Sequence, residues 1–379
     1  MTDDVEQHEN DASAHAREPF AFLRTRGRAS VVRLADQWFI ACQSSELGST
    51  PRAETIQDVP LVLFRDERGR AAALLDRCPH RNIPLSGGKV VASDGTIECP
   101  YHGWRFDREG ACRAIPSFCG EPNAKARTTP AFPVLEQDGW VWVYSTPFSG
   151  TAESGQRMPD KQPHRFALLD QPGYTSVHQT VEAEGTMYSA IENALDVPHT
   201  AFLHRGLFRS ESRGVTLKVK VKRSRDRVEA EYVGEPRPPG LVARILSPSG
   251  GIVTHFDRFI LPSVAQVEYR IGTENHFLAD TVCTPVSDFR TKLHAVVSFR
   301  SRLPGHVIAP FVKPLAMRVF QQDAVVLKQQ TEMIRRFGGE QFASTEIDVL
   351  GRHIWRLLRA AERGDAHTPE EETELELVV

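Results

Sequence analysis

The sequence predicts an α+β protein in two parts: an antiparallel β part, then an antiparallel sheet flanked by helices. Short apolar runs separated by turn-forming residues fill the segment from 34 to about 147. Alternating strands return between 215 and 300, and after Pro304 apolar residues recur at the helical spacing of three and four. A stretch rich in Gly, Ser, Pro and charge at 148–162 lies between the two parts, so we place a domain boundary there.

Composition is that of an ordinary globular chain. Its 379 residues are 25% charged and 40% hydrophobic, and the net charge of −3 offers no electrostatic reason to expect nucleic acid. No run of 18 apolar residues is present, so we expect no membrane span. The N-terminus lacks the basic and apolar regions of a signal peptide, and the six cysteines show no disulfide framework. These features predict a cytoplasmic protein.

The first domain is predicted at 34–150, after a flexible N-terminal arm at 1–33 that has few apolar anchors. Its strands include Pro60–Arg65 and Ala71–Leu75, which are separated by a turn-prone segment. A hairpin follows at 90–98 with Asp-Gly at its turn, and the alternating run 139–144 ends the domain.

The second domain is predicted at 160–363. It opens on strand-like sequence at 174–182, followed by a helix at 188–204 that Pro198 should bend, because proline lacks the N–H that a helix interior uses. Five or more strands and two helices, at 311–336 and about 345–362, complete it. The glutamate-rich segment 364–379 is predicted to be a solvated acidic tail.

Two cysteines and two histidines form the most informative pattern. Cys78 and His80 are spaced as C-x-H, and Cys99 and His102 as C-x-x-H. Thiolate and imidazole suit either zinc or an iron–sulfur cluster. A zinc finger usually groups its cysteines in one knuckle, whereas here each loop offers one Cys and one His, as a Rieske [2Fe–2S] centre requires. A zinc site of the same composition is the alternative.

The segments CPHRNIPLSGGKV and CPYHGWRFD resemble the Rieske segment of the Rieske-type non-haem iron oxygenases, in the vanillate demethylase and ring-hydroxylating branch. Residue 83 is Ile and residue 101 is Tyr, so the extra disulfide of respiratory Rieske proteins cannot form, which predicts a low-potential cluster. The resemblance implies a Rieske domain followed by a catalytic domain of helix-grip, START-like fold. It also implies electrons from NAD(P)H through a separate reductase, with or without a ferredoxin.

A second motif lies on the predicted helix. Asn193, Asp196 and His199 are three apart and share one face, while His204 is about 140° further round a regular helix. The two imidazoles could share a metal only if the helix is bent. The pattern N-x-x-D-x-x-H-x₄-H resembles the iron motif of the same family, whose facial triad takes its carboxylate from the long C-terminal helix. By that resemblance Asp323 is the third ligand; Glu332, the competitor, is expected on the solvent side.

The resemblance also implies a role for Asp196. In the family this aspartate bridges a cluster histidine of one subunit and an iron-ligating histidine of its neighbour, in a head-to-tail ring that is usually a homotrimer. Carried over, the path runs from His102 through Asp196 to His199. Asn193 would line the iron site or support a ligand.

The predicted function is that of the terminal oxygenase of a multicomponent Rieske system, which uses O₂ to hydroxylate, demethylate or oxidatively cyclise a bulky or aromatic substrate. The alternative is a Rieske electron-transfer protein with a non-catalytic ligand-binding second domain. The segment 240–285 is expected to form much of the pocket. Its candidate walls are Phe256, Phe259, Ile260, Leu261 and Val264, whereas His255, His276 and His294 are expected to be structural unless they line that pocket.

Overall fold

The two-part α+β architecture is confirmed in a computed structural model, which describes residues 27–148, 157–204, 216–235, 253–272, 275–301, 304–365 and 369–378. Four antiparallel sheets form its framework. The strands are β1 Trp38–Gln43, β2 Arg52–Ile56, β3 Val59–Arg65, β4 Ala71–Leu75, β5 Lys89–Val91, β6 Thr96–Glu98, β7 Arg105–Phe106, β8 Cys112–Ala114, β9 Ala131–Phe132, β10 Val134–Gln137, β11 Trp140–Tyr144, β12 Thr175–Ala183, β13 Thr216–Arg223, β14 Arg227–Val233, β15 Val253–Ile260, β16 Val264–Ile271, β17 Asn275–Ser287, β18 Arg290–Arg300 and β19 Glu371–Val378.

The first domain consists of three small sheets, with strand orders β1-β11-β10, β2-β3-β4-β9 and β5-β6-β7-β8. The predicted hairpin at 90–98 is present: β5 and β6 pair Val91 with Thr96, and Gly95 takes a φ of +64° in the turn. The two Cys/His loops leave β4 and β6, so both project from the same small domain.

The second domain is one eight-stranded sheet in the order β12-β18-β17-β16-β15-β14-β13-β19, in agreement with the five or more strands that the sequence predicts. Four helices accompany the sheet in the described residues: α1 Met187–Ala194, α2 Thr200–Leu203, α3 Gly305–Arg336 and α4 Gly351–Arg363. Helix α1, the buried side of α4 and the middle of α3 pack with one face of the sheet in a common core. None of these helices is long and apolar enough to cross a membrane.

The single helix predicted at 188–204 is two helices. Thr186 caps the start of α1 by accepting a hydrogen bond from the Ser189 N–H at 3.0 Å. The chain leaves helical geometry after Ala194, and Pro198 lies in the connection before α2 begins. The proline therefore interrupts the helix rather than merely bending it.

The opposite face of the sheet packs on the first domain. Trp140 stacks on His178 of β12 with ring centroids 5.7 Å apart and meets the edge of His294 of β18 at 5.3 Å. Thr284 Oγ1 donates a hydrogen bond to the Ile40 carbonyl of β1 at 2.8 Å. Ring packing and hydrogen bonds thus join the cluster-bearing domain to the back of the sheet.

Both predicted chain ends need correction. Residues 1–26 of the predicted arm at 1–33 lie outside the described residues, but Ala29 and Val31 are buried against Phe289 and Ile334. Half of the predicted acidic tail at 364–379 is in fact the strand β19. Its residues Glu372, Glu374 and Glu376 lie opposite lysines of β13, which neutralise them, as in the 3.2 Å pair of Lys218 Nζ and Glu374 Oε2.

Two of the pocket walls expected in 240–285, Ile260 and Val264, do not face the helices. Residues 240–252 lie outside the described residues. Ile260 and Val264 point to the back of the sheet, where they pack with the first domain's tryptophans. Phe259 faces the helices but is fully buried in the core. The reason is the two-residue period of β15, a strand that we did not predict.

Candidate metal centres

The two Cys/His loops close in the same way. The Cys78 N–H donates to the Ile83 carbonyl, and the Cys78 carbonyl accepts from the Asn82 N–H, both at 2.9 Å. Cys99 makes the equivalent pair with Trp104 at 2.8 Å and Gly103 at 3.1 Å. Each cysteine thus begins a loop of equal length that holds its histidine two or three residues later.

Each loop reverses through a residue of positive φ at the same position. Asn82 has φ +60° and Gly103 has φ +67°, values that asparagine and glycine adopt more readily than other residues. A Cβ at Gly103 would also come within 2.9 Å of the Pro116 side chain. Both the backbone conformation and the close approach therefore require glycine at 103.

The candidate ligands of these loops lie together. Cys78 and Cys99 are buried side by side, and the rings of His80 and His102 are 4.6 Å apart between centroids. His80 stacks on Trp104 at 4.7 Å, almost parallel to it. The indole of Trp104 thus helps to fix the orientation of the His80 ring.

The chemistry of these donors fits a cluster. Burial raises the pKa of Cys78 to about 11, and the neighbouring Cys99 adds to the effect, so the Cys78 thiol stays protonated unless metal displaces its proton. Burial, with the adjacent His102, lowers the pKa of His80 and keeps that imidazole in the neutral form that binds metal. His80 Nδ1 is buried without a hydrogen-bond partner among the described residues. Two Cys and two His so arranged could hold a [2Fe–2S] group.

The second site draws on three elements. His199 immediately precedes α2, His204 immediately follows it, and Asp323 lies in the middle of α3. Because α2 is only one turn long, both imidazoles return to the same side of the chain. His204 is 2% exposed in its side chain and Asp323 is 11% exposed, although carboxylates are rarely buried without a partner.

The donor atoms converge. His199 Nε2 and His204 Nε2 are 3.2 Å apart, and Asp323 Oδ1 lies 3.1 Å from His204 Nε2 and 3.7 Å from His199 Nε2. Nitrogen donors to one transition metal lie about 2.0–2.1 Å from it, which puts two of them roughly 3 Å apart. His199 Nδ1 and Asp323 Oδ1 are buried without a hydrogen bond inside the described ranges. Two imidazoles and one carboxylate on one side of a metal are the donor set of non-haem Fe(II) oxygenases.

Gln322 is a functional candidate that our sequence analysis missed. Its side-chain carbonyl lies 2.9 Å from His204 Nδ1 and can only accept, so His204 carries its proton on Nδ1 and presents the Nε2 lone pair to the other ligands. Burial lowers the pKa of His204, but the adjacent Asp323 and Gln322 outweigh it and raise the pKa overall. The available signal was a glutamine directly before the candidate carboxylate.

The remaining candidates lie close by. Asp196 Oδ2 is 3.6 Å from His199 Nδ1, and its side chain is 37% exposed, so it can reach both the metal site and the surface. Asn193 is half-buried in the last turn of α1, and its backbone carbonyl accepts a hydrogen bond from the Asp196 N–H at 3.3 Å. Glu332 is exposed, as expected for the competitor. His102, Asp196's expected partner across subunits, is exposed on its loop.

The fold and the two candidate metal centres together indicate the class of protein. A small antiparallel domain with two Cys/His loops, joined to an eight-stranded sheet with a two-histidine, one-carboxylate constellation, is the architecture of a two-centre redox enzyme.

Comparison with known proteins gives the family. Residues 37–129 match the Rieske [2Fe-2S] domain, and residues 184–364 match the vanillate O-demethylase oxygenase C-terminal domain. The chain belongs to the Rieske-type non-haem iron oxygenases and is an oxygenase component.

Among relatives, the oxygenase component of dicamba O-demethylase from Stenotrophomonas maltophilia is 28% identical over 78% of this chain and 74% of its own length. Chlorophyllide a oxygenase of Chlamydomonas reinhardtii is 30% identical over 75% of this chain, but this covers only 41% of that protein. The crystal structure of dicamba monooxygenase bound to dicamba superposes with a TM-score of 0.73, covering 89% of this chain and 99% of the other at 24% identity, and thereby supports the fold.

Proposed function

We propose that the chain uses O₂ and electrons derived from NAD(P)H, delivered by a separate reductase with or without a ferredoxin, to hydroxylate, demethylate or oxidatively cyclise a bulky or aromatic compound. The convergence of His199, His204 and Asp323 in a chain that also carries the Rieske loops is the observation that supports this most. Dicamba O-demethylase and chlorophyllide a oxygenase both act, by their names, on ring compounds.

The residues divide the work. Cys78, His80, Cys99 and His102 would hold the [2Fe–2S] cluster; a mononuclear Fe(II) would be held by the triad. When bound, these groups supply one-electron transfer and O₂ activation. The chain itself keeps His204 in the metal-binding tautomer, because Gln322 accepts from His204 Nδ1. Asp196, 3.6 Å from His199 Nδ1, would do the same for His199 after a small approach.

Transfer between the centres is proposed to cross a subunit boundary. His102 is exposed on its loop, and Asp196 is partly exposed beside His199, so a neighbouring copy could place its His102 against this Asp196. The exposed Tyr101 and Phe202 flank the two positions and would supply apolar contact. A head-to-tail homotrimer, together with a cytoplasmic location, is part of the proposal.

The test is metal analysis with activity. We expect about three iron and two acid-labile sulfide per chain, a rhombic EPR signal after dithionite reduction, and O₂-dependent product formation with a surrogate reductase. About two iron and two sulfide, unchanged after anaerobic Fe(II) addition, would instead favour an electron-transfer protein with a non-catalytic second domain. Zinc without sulfide would exclude both.

A further inference from the structure

A buried polar cluster lies on the helix-bearing face of the sheet. The register places Tyr232, His255 and Tyr269 side by side across β14, β15 and β16, and Asp257 lies two residues along β15 on the same face. Glu235, just beyond β14, completes what we call the His255 cluster. Phe259, the next residue of β15 on this face, belongs to the core that α1 helps to form. The cluster therefore lies on the side of the sheet that carries the helices with the candidate iron ligands.

His255 is fully committed to its neighbours. It is completely buried, with Nδ1 at 2.5 Å from Glu235 Oε2 and Nε2 at 3.0 Å from Asp257 Oδ1. Its ring is stacked between Tyr232 at 4.4 Å and Tyr269 at 4.0 Å. Burial lowers the pKa of His255, but the two carboxylates outweigh it and raise the pKa to about 9, so an imidazolium fills the cluster at neutral pH. With both nitrogens bonded, His255 holds its neighbours in place and has no lone pair for acid–base chemistry.

Such a cluster is costly for a sheet that needs only apolar packing. Apolar residues of similar size usually serve stability as well as or better than a buried ion cluster does. Stability alone therefore does not explain the His255 cluster, and binding of a ligand is the other role that such polar groups can have.

Tyr232 is the residue of the cluster that is best suited to bind a ligand. Its side chain is 1% exposed, yet its hydroxyl makes no hydrogen bond inside the described ranges. A buried hydroxyl without a partner is unfavourable, so a bound molecule that supplies one gains affinity. Burial raises the pKa of Tyr232 strongly, and the carboxylates of Asp257, Glu235 and Asp196 add to it, so the hydroxyl lies in a negative field.

The neighbouring face is partly exposed. Val267 and Ala279 continue the row of Asp257, and Tyr269 and Phe277 continue the row of His255, across the central strands β16 and β17. All four are only half-buried, although they lie in the middle of the sheet on the side that the helices cover. This apolar strip could receive a ring next to the polar cluster.

We propose that the His255 cluster is the polar end of the substrate pocket, and that Tyr232 recognises a hydroxyl or amino group on an uncharged or cationic ring compound. The negative surroundings favour a hydrogen-bond donor over a carboxylate or other anion. This inference rests on the proposed function, because it assigns a specificity residue to the same catalytic domain.

The test is anaerobic equilibrium dialysis of the iron-loaded protein against p-cresol, p-toluidine, p-xylene and p-toluate, which share one ring and differ in one group. We expect p-cresol and p-toluidine to bind about five- to tenfold more tightly than p-xylene, and p-toluate to bind most weakly. Tyr232→Phe should remove the advantage of the two donors and leave p-xylene affinity unchanged. Persistence of the advantage in this variant, tightest binding by p-toluate, or no binding of either donor would each overturn the proposal.

A stability comparison separates binding from packing. Tyr232→Phe deletes an unpartnered hydroxyl, so its thermal midpoint should be equal to or above that of the parent. The matched control is Tyr174→Phe on the opposite face, where the Tyr174 hydroxyl is 2.6 Å from His276 Nδ1. That variant should lower the midpoint without changing probe affinities; the reverse pattern would assign Tyr232 a structural role.

The dialysis involves no turnover, and iron is measured in the same samples. If the oxygenase proposal fails, iron or oxidation is missing while the Tyr232-dependent preference can persist. If only this inference fails, iron and oxidation persist without that preference.

Discussion

The Rieske loops and the mononuclear site solve the same problem, holding metal donors, in opposite ways. Each Rieske loop is closed by its own backbone, with the cysteine bonded to residues four and five positions later. The triad is built by distant elements: the turn around α2 supplies two imidazoles, and α3 supplies Asp323 across the domain. A local loop can keep its shape when its surroundings change, whereas the triad depends on how helix and sheet pack.

The two sites also differ in how their imidazoles are held. His80 is positioned by stacking on Trp104 and has an unpartnered Nδ1 among the described residues, while His204 is positioned through Nδ1 by Gln322. Opposite nitrogens are therefore available for metal in the two sites.

The largest effect is expected from emptying one site at a time. Asp323→Ala should abolish substrate oxidation yet retain about two iron and two sulfide per chain, because the loops fold on their own hydrogen bonds. Cys99→Ser should lose sulfide and visible absorption while the triad still binds one divalent ion. Iron and sulfide analysis of both variants is the measurement. Loss of sulfide in Asp323→Ala would show that the two sites are not independent.

Removing the charge of Asp196 should affect the link between the sites rather than either site. Asp196→Asn is expected to keep full iron and sulfide but to oxidise substrate about 10- to 100-fold more slowly, the range typical of residues that orient a metal ligand. Stopped-flow reoxidation of the reduced cluster locates the slow step. A variant with less iron and an unaltered rate per iron would make Asp196 a residue of metal retention instead.

Gln322 should control the metal affinity of the triad alone. Gln322→Leu leaves His204 Nδ1 without this acceptor, so Fe(II) affinity should fall by about 10- to 100-fold, and Gln322→Glu should restore it. Competition with a chelator measures the affinity, and sulfide content should stay constant. Gln321→Leu, at the adjacent exposed position, is the control. Equal losses in both leucine variants would point to helix damage.

The smallest effect is expected from His294 at the domain interface, on the pH dependence of the free energy of unfolding. Burial lowers the pKa of His294 to about 3, against about 6.5 when unfolded. Between these values the unfolded chain binds more protons, so the free energy of unfolding falls as pH drops below about 6.5, by at most about 1.4 kcal/mol per pH unit from this group. Urea unfolding of His294→Gln between pH 7.5 and 5 should show a shallower decline. The exposed control His306→Gln should keep the parental slope.

Features defined by neighbouring residues were predicted correctly, whereas features that depend on residues far apart in the sequence were missed. The hairpin at 90–98 and the strand at 71–75 are present as predicted, because a turn and its flanking residues define them. The strand β19 was missed since its glutamates resemble a solvated tail until the lysines of β13 stand beside them. Glu332 is exposed as expected, since its helical position opposes the buried side of α3.

The chemistry can be read from the amino-acid order alone: which side chains can bind metal, the spacing of the Cys/His loops and the break that Pro198 introduces. Which faces meet depends on the tertiary fold. It brought Asp323 within 3.1 Å of His204, placed Gln322 behind that histidine, and turned Ile260 and Val264 away from the helices. The physical reason is that spacing along a chain sets local geometry, whereas strand register and helix packing set every distance between segments far apart in sequence.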